Sequence, residues 1–231
     1  MPNKPQCVVI CGGMGRRLAP LTTHKAKSMV EVKGQPIIKY IVDYWREFVG
    51  EFVFILGYGK EELLEYLKQL PIKARFIEEA GPPKGIANAL LLAKPYVNDN
   101  FIVVLGDCLC SGQFVFPQEF IQGVGVWETG VADDIKRSYS VEINGQQIVR
   151  VIEKPQELIN NYCGLGFYFF KKLFFDYVAK TSPSTKTNRV ELTDVIQVMI
   201  DHQEKVSPVV LEGKYLNVTY PEDLERAKQV V

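Results

Sequence analysis

The chain has 231 residues, 47% of them hydrophobic and 23% charged, with 18 Gly and 13 Pro. At that size about 72% of the extended chain's surface is buried on folding, and the composition excludes disorder, collagen and coiled coil. Its 27 Lys and Arg balance 27 Asp and Glu with no long run of one sign, which argues against a nucleic-acid partner bound by counterion release; any polyanion it holds must be small and locally bound.

The opening MPNKPQ is polar, and the apolar Val8–Ile10 that follows is far shorter than a secretory leader or a membrane span. A cytoplasmic chain with no membrane partner is therefore expected. Residues 6–11 form a β-branched run that stops in glycines, as a buried strand feeding a loop does. From Pro36 to Val49 the apolar residues recur at helical spacing. A strand is expected over 52–56, a helix over 61–70, a strand over 73–77, a helix over 86–93 and an apolar strand over 101–105 that ends in Gly106-Asp107. This alternation of strand and helix is that of an α/β protein with a parallel sheet covered on both faces.

Beyond Asp107 the rhythm changes. Strands are expected over 123–128, 139–143 and 148–152, the last two joined through the hairpin signal Asn144-Gly145. A further strand covers 163–170, helices cover 172–180 and 192–202, a strand covers 206–211, and a last helix starts at Pro221, where proline suits the first turn. The aromatic stretch Phe167–Phe170 with Phe174, Phe175 and Tyr177 reads as core. No repeat or linker divides the chain, so one domain over 1–231 is expected, its second half extending the sheet of the first. The five cysteines, Cys7, Cys11, Cys108, Cys110 and Cys163, are odd in number and lack zinc spacing, which argues against a disulfide framework or a zinc site; Cys108 and Cys110 are expected as buried or half-buried thiols. Only His24 and His202 are present, which leaves little for a histidine-based triad or metal site.

Ligands of open parallel sheets bind beyond the carboxyl ends of the strands, and Gly12-Gly13-Met14-Gly15-Arg16-Arg17-Leu18 lies there. Glycines let backbone N–H groups approach phosphate oxygens, and arginines pair with phosphates. The loop is neither a dinucleotide fingerprint, since Leu18 stands where a third glycine is required, nor a Walker A loop. Alone it leaves phosphate binding and a plain tight turn equally open.

The longer stretch CGGMGRRLAPLTTHKAKSMVEVKGQPII, with GPPKGIANAL, Leu105-Gly106-Asp107, Glu153-Lys154-Pro155, LGFYFF, Glu191–Asp194 and NVTYPEDLERA, resembles the sugar-1-phosphate nucleotidyltransferases in order and over nearly the whole chain. The resemblance implies a Rossmann-like nucleotidyltransferase fold, an α/β structure with a mixed, mostly parallel sheet and helices on both faces. It implies a nucleotide-binding half up to about residue 110 and a sugar-phosphate-binding half from about 111. The implied reaction joins a nucleoside triphosphate to a sugar 1-phosphate and releases pyrophosphate, with Mg²⁺ as cofactor.

On that resemblance, Cys11, Gly12, Gly13, Gly15 and Gly85 approach the nucleotide, Arg17 holds the β- and γ-phosphates and Lys27 contacts the reacting phosphates. Asp107 is a Mg²⁺ ligand, and Mg²⁺ takes only one or two protein oxygens. Asn217 stands where relatives have the second carboxylate, which weakens metal binding by one charge. Glu153 accepts from sugar hydroxyls and Lys154 neutralises the sugar phosphate. Catalysis is thus expected from Arg17, Lys27, Asp107 and Lys154.

Several positions depart from the family pattern. Ala26 replaces the usual proline before the lysine. Ala80, preceded by Glu78 and Glu79, replaces the glutamine of pyrimidine-specific relatives. The residues leave open which base Glu79 would favour, although each mismatched buried group costs roughly 1–3 kcal/mol. Near the sugar, Ser140 replaces a glycine, and Leu165, before Gly166, replaces a polar residue. A cytidylyltransferase acting on a non-sugar phosphate or phosphonate, and a nucleotide-binding homologue without turnover, are the competing readings. Any homo-oligomer would have to use this domain's own surface.

Overall fold

The computed structural model describes residues 4–81, 85–185 and 187–231; Pro82-Pro83-Lys84 of the GPPKG stretch lie outside the described residues. The first half runs β1 (Gln6–Cys11), β2 (Glu31–Val32), β3 (Gln35–Pro36), α1 (Ile37–Trp45), β4 (Glu51–Leu56), α2 (Lys60–Lys68), β5 (Ala74–Glu78), α3 (Ile86–Leu91) and β6 (Asn100–Leu105). It continues through β7 (Cys108–Val115), β8 (Gly123–Glu128), α4 (Ala132–Arg137), β9 (Tyr139–Asn144), β10 (Gln147–Glu153), β11 (Tyr162–Lys171), α5 (Phe174–Lys180), α6 (Leu192–Asp201), β12 (Ser207–Asn217) and α7 (Asp223–Ala227).

Ten strands form one mixed sheet in the order β5-β4-β1-β6-β11-β8-β12-β7, with β9 pairing β11 and β10 pairing β9. β5, β4, β1 and β6 are mutually parallel. β11 runs antiparallel to β6 and β8, and β12 is parallel to β8 and antiparallel to β7. Alternation along each strand feeds two cores. Cys7, Val9, Phe52, Phe54, Leu56, Ile102 and Val104 pack with α1 and α2 on one face. Val8, Val53, Ile55, Phe101 and Val103 pack with α3, α5 and α6 on the other. The aromatic run belongs to these cores: Phe170 stacks on Phe174 at 4.2 Å and Phe101 on Phe175 at 5.3 Å.

Several features differ from the sequence expectation. The apolar period after Pro36 ends at Trp45, where Phe48 N–H turns back to Trp45 O; Phe48 is exposed. β7 and α4 are additional elements, because β7 is polar along much of its outer length and α4 buries only Ile135. The strand expected over 206–211 continues to Asn217, since β7 supplies it with a partner as far as Cys108, and the last helix begins at Asp223 rather than Pro221.

Candidate active site

The parallel strands end on one edge of the sheet, β1 at Cys11, β4 at Leu56, β5 at Glu78 and β6 at Leu105. β12 reaches the same edge, where Asn217 pairs with Cys108 and the Val218 N–H donates to Asp107 O at 2.9 Å. Asp107 and Asn217 are thereby brought side by side from positions far apart in the chain. β10 delivers Glu153 and Lys154, and β9 begins at Tyr139, paired with Glu153.

These ends surround a cleft with two adjoining lobes. One, of about 450 Å³, is lined by Cys11, Gly13, Lys27, Ile86, Leu105 and Asp107. The other, of about 790 Å³, shares Lys27, Ile86, Leu105 and Asp107 and adds Arg17, Arg137, Tyr139, Glu153, Lys154, Gly166, Thr193, Asn217 and Thr219. Arg17, Lys27, Asp107 and Lys154, singled out by the sequence motifs, therefore face one space.

The glycine loop is shaped by the residues it admits. Gly15 has φ +62°, and a Cβ there would sit 3.0 Å from Thr22 Cγ2 and 3.2 Å from Lys27 Cβ, so glycine both permits the left-handed turn and leaves room for Lys27. The Thr22 hydroxyl closes the loop by donating to Gly15 O at 2.8 Å. Gly12 is buried against Gly57, and Gly13 is open to solvent. The Cys11 thiol is pushed up to about 12 by burial, so at neutral pH it is a small apolar wall and not a nucleophile. Gly85, at φ +106° ahead of α3, faces Arg189 Cβ and Val190 O, each 3.2 Å from where a Cβ would lie.

Charge in the cleft is paired but adjustable. The Lys27 ammonium contacts the Asp107 carboxylate, with both side chains largely buried. Lys154, held at φ +42° with its N–H on Ser138 O, pairs with Glu153 Oε1 at 3.0 Å, and Glu153 Oε2 accepts from Thr193 Oγ1 at 3.1 Å. Arg17 makes no ion pair among the described residues. Its guanidinium lies 5.3 Å from the Tyr220 ring centroid, and Arg137 lies 4.9 Å from the same ring, a cation–π arrangement that keeps both heads near the cleft. Arg137 Nη1 donates to Asp223 Oδ1 at 3.2 Å.

Asp223 is almost fully buried, and its Oδ2 accepts from both Thr219 N–H and Tyr220 N–H at 2.8 Å. It therefore fixes the turn that carries Asn217, Thr219 and Tyr220. Asp107 and Asn217 supply one carboxylate and one amide oxygen; among the described residues Asn217 Oδ1 accepts only from Thr219 Oγ1 at 3.2 Å. This donor set fits Mg²⁺, which completes its shell with water and phosphate oxygens. No helix among the described residues is long and apolar enough to cross a membrane.

Two residues expected on the acceptor side lie away from the cleft lining. Ser140 is fully buried, its Oγ without a hydrogen-bond partner among the described residues, and Leu165 is fully buried in the core under α1. Neither lines the cleft, because one step along the pleat turns each away from it; Tyr139, Gly166 and Tyr168 take the inward places. Ala80 is exposed and lines neither lobe. Glu79 borders a neighbouring cavity with Gly12 and Gly57. Arg137, Thr193 and Tyr220 were not legible as site residues. Arg137 sits in a helix with little apolar periodicity, and only the PEDL signature hinted at the turn that Asp223 holds.

The chain is 32% identical over 222 residues to the bifunctional protein GlmU of Methanocaldococcus jannaschii, a match covering 96% of this chain and 53% of that protein. The chain thus spans about half the length of that relative. It is 31% identical over 235 residues to the UTP–glucose-1-phosphate uridylyltransferase AglF of Haloferax volcanii, covering 97% of this chain and 95% of AglF. Its fold is similar to that of a UDP-glucose pyrophosphorylase solved with UDP-glucose, with a TM-score of 0.83 at 18% identity, covering 97% of each chain. The sequence profile described as "Nucleotidyl transferase" matches residues 6–230, and with the cleft at the strand ends this places the chain in the nucleotidyl transferase family.

Proposed function

We propose that the protein transfers a nucleotidyl group from a nucleoside triphosphate to a sugar 1-phosphate, giving a nucleoside-diphosphate sugar and pyrophosphate. The observation that carries this reading is the convergence of Arg17, Lys27, Asp107 and Lys154 on one cleft. An oxygen of the acceptor phosphate attacks the α-phosphorus, and the bond from that phosphorus to the oxygen bridging the β-phosphate breaks. The protein's task is to hold two anions together and stabilise charge on the departing pyrophosphate.

Cys11, Gly12, Gly13 and Gly15 supply backbone at the triphosphate. Arg17, without a carboxylate partner among the described residues, turns from the Tyr220 ring to the β- and γ-phosphates. Lys27 exchanges its contact with Asp107 for the reacting phosphates. Bound between Asp107 and Asn217, Mg²⁺ would supply charge neutralisation of the phosphates. Lys154 receives the acceptor phosphate, and Glu153, oriented by Thr193, accepts from a sugar hydroxyl. Gly85 and Ile86 border the nucleoside and Gly166 the sugar; Ser140 and Leu165 act only through packing. The chain works as one domain, its nucleotide half to about residue 110 and its acceptor half beyond, in the cytoplasm, a setting that suits its free thiols.

The test is pyrophosphate release from a panel of triphosphates and sugar 1-phosphates with and without Mg²⁺. Release that requires both substrates and Mg²⁺ is expected. Binding without release from any pair would leave a nucleotide-binding homologue, and release only with non-sugar phosphates or phosphonates would move the acceptor class.

A further inference from the structure

The edge of the sheet holds a carboxylate that the reaction outlined above does not use. Glu79 follows β5, with its N–H on Leu56 O at 2.8 Å. Its side chain reaches past the end of β4 to the glycine loop, and Oε2 lies 2.7 Å from where a Gly12 Cβ would be. The carboxylate makes no hydrogen bond or ion pair among the described residues. Its neighbour Glu78 differs, being paired to Lys60 Nζ at 2.5 Å. Glu79 borders a cavity of about 800 Å³ with Gly12, Met14, Gly57, Tyr58, Lys60 and Gly81. Three of those six residues are glycines, Lys60 has its ammonium held by Glu78, and Met14 and Tyr58 offer a thioether and an aromatic ring, surfaces that suit a flat heterocycle.

We infer that Glu79 reads the base of the triphosphate and selects guanine; this rests on the nucleotidyltransferase reading. A carboxylate is acceptor-only, with two oxygens side by side. Guanine presents two adjacent donors, N1–H and the 2-amino group, which match those oxygens. Uracil and thymine present N3–H between two carbonyl oxygens. Adenine and cytosine present an amino group beside a ring nitrogen acceptor. Each of those edges sets a lone pair against one carboxylate oxygen, leaving a desolvated acceptor unsatisfied, at about 1–3 kcal/mol. A glutamine in the same place would offer one donor and one acceptor and so match a mixed edge. Gly81, with nothing within 4 Å of where a Cβ would lie, leaves room for the larger purine.

The experiment is equilibrium binding of GTP, ITP, ATP, CTP, UTP and dTTP to the full chain with Mg²⁺, followed by pyrophosphate release with the acceptor panel. GTP is expected to bind at least about tenfold more tightly than every other triphosphate. ITP, which keeps N1–H and lacks the 2-amino group, falls in that weaker set. Glu79→Gln, an isosteric change at a partly exposed position, is expected to remove most of the preference for GTP over UTP while leaving the melting temperature unchanged. Equal affinity for GTP and ITP, tighter binding of any other base, or an unaltered preference in Glu79→Gln overturns the assignment while leaving the transfer reaction intact. Failure of every triphosphate to bind overturns the transfer reaction, and this assignment falls with it.

Discussion

Replacing Asp223 with alanine removes the one carboxylate that ties the 217–220 turn to both the last helix and Arg137. Thr219 N–H and Tyr220 N–H each lose a 2.8 Å bond to a charged acceptor. Thr219 is only 7% exposed, so its orphaned donor carries about 1–3 kcal/mol of uncompensated desolvation. Tyr220 is half-buried and recovers part of its bond from water, and Arg137, with 35% of its side chain exposed, recovers more. The total should be about 3–5 kcal/mol, the range for breaking a buried charge pair. In a domain of this size each kcal/mol lowers Tm by roughly 2–4 °C, so a fall of about 10 °C is expected. Scanning calorimetry with and without triphosphate measures it, and KM for the triphosphate should rise because Arg17 loses the ring it rests on. Asp223→Asn, which keeps one acceptor oxygen, should lose less on both counts. If Asp223→Ala melts within 2 °C of the parent, an order-of-magnitude bound set by the same scaling, the carboxylate is not the anchor described here.

Lys27→Ala should lower turnover by about a hundredfold or more, as loss of a positioned charge donor does; unchanged turnover would remove Lys27 from the reaction. Asp107→Asn should raise the Mg²⁺ concentration needed for half-maximal rate, and a superimposable metal titration would count against its place as a ligand. Burial raises the Asp194 carboxyl above its ordinary value of 3.8, and its Oδ2 lacks a hydrogen-bond partner among the described residues. The folded state thus binds this proton more tightly than the unfolded state. That contribution is fully present below the ordinary value and is lost as pH rises through the folded one. Asp194→Asn should therefore be more stable than the parent at pH 7, with the gap closing as pH is lowered towards 4. Urea unfolding across that range decides it, and a gap independent of pH would refute the assignment.

Much of the α/β core was legible because period and burial agree there. The runs at Gln6–Cys11, Glu51–Leu56 and Asn100–Leu105 are apolar on both faces and bounded by glycines or turns, so local pattern and tertiary demand coincide. The glycine loop and Asp107 were legible for a related reason, since each directly follows a strand end, whereas Lys27 was marked only by the family resemblance. α4 and the outer length of β7 carry too little apolar signal to be seen without their partners.

Residues 6–107 by themselves determined that a parallel sheet would present a glycine loop and a carboxylate at its carboxyl edge, since strand termini place both. Only the tertiary structure decided which distant residues meet them. Asn217 arrives through the antiparallel pairing of β12 with β7, and Arg137 arrives through Asp223 and the Tyr220 ring. Ser140 and Leu165 turn away because a pleated strand alternates faces at every residue, and which face meets the cleft depends on how the sheet is assembled.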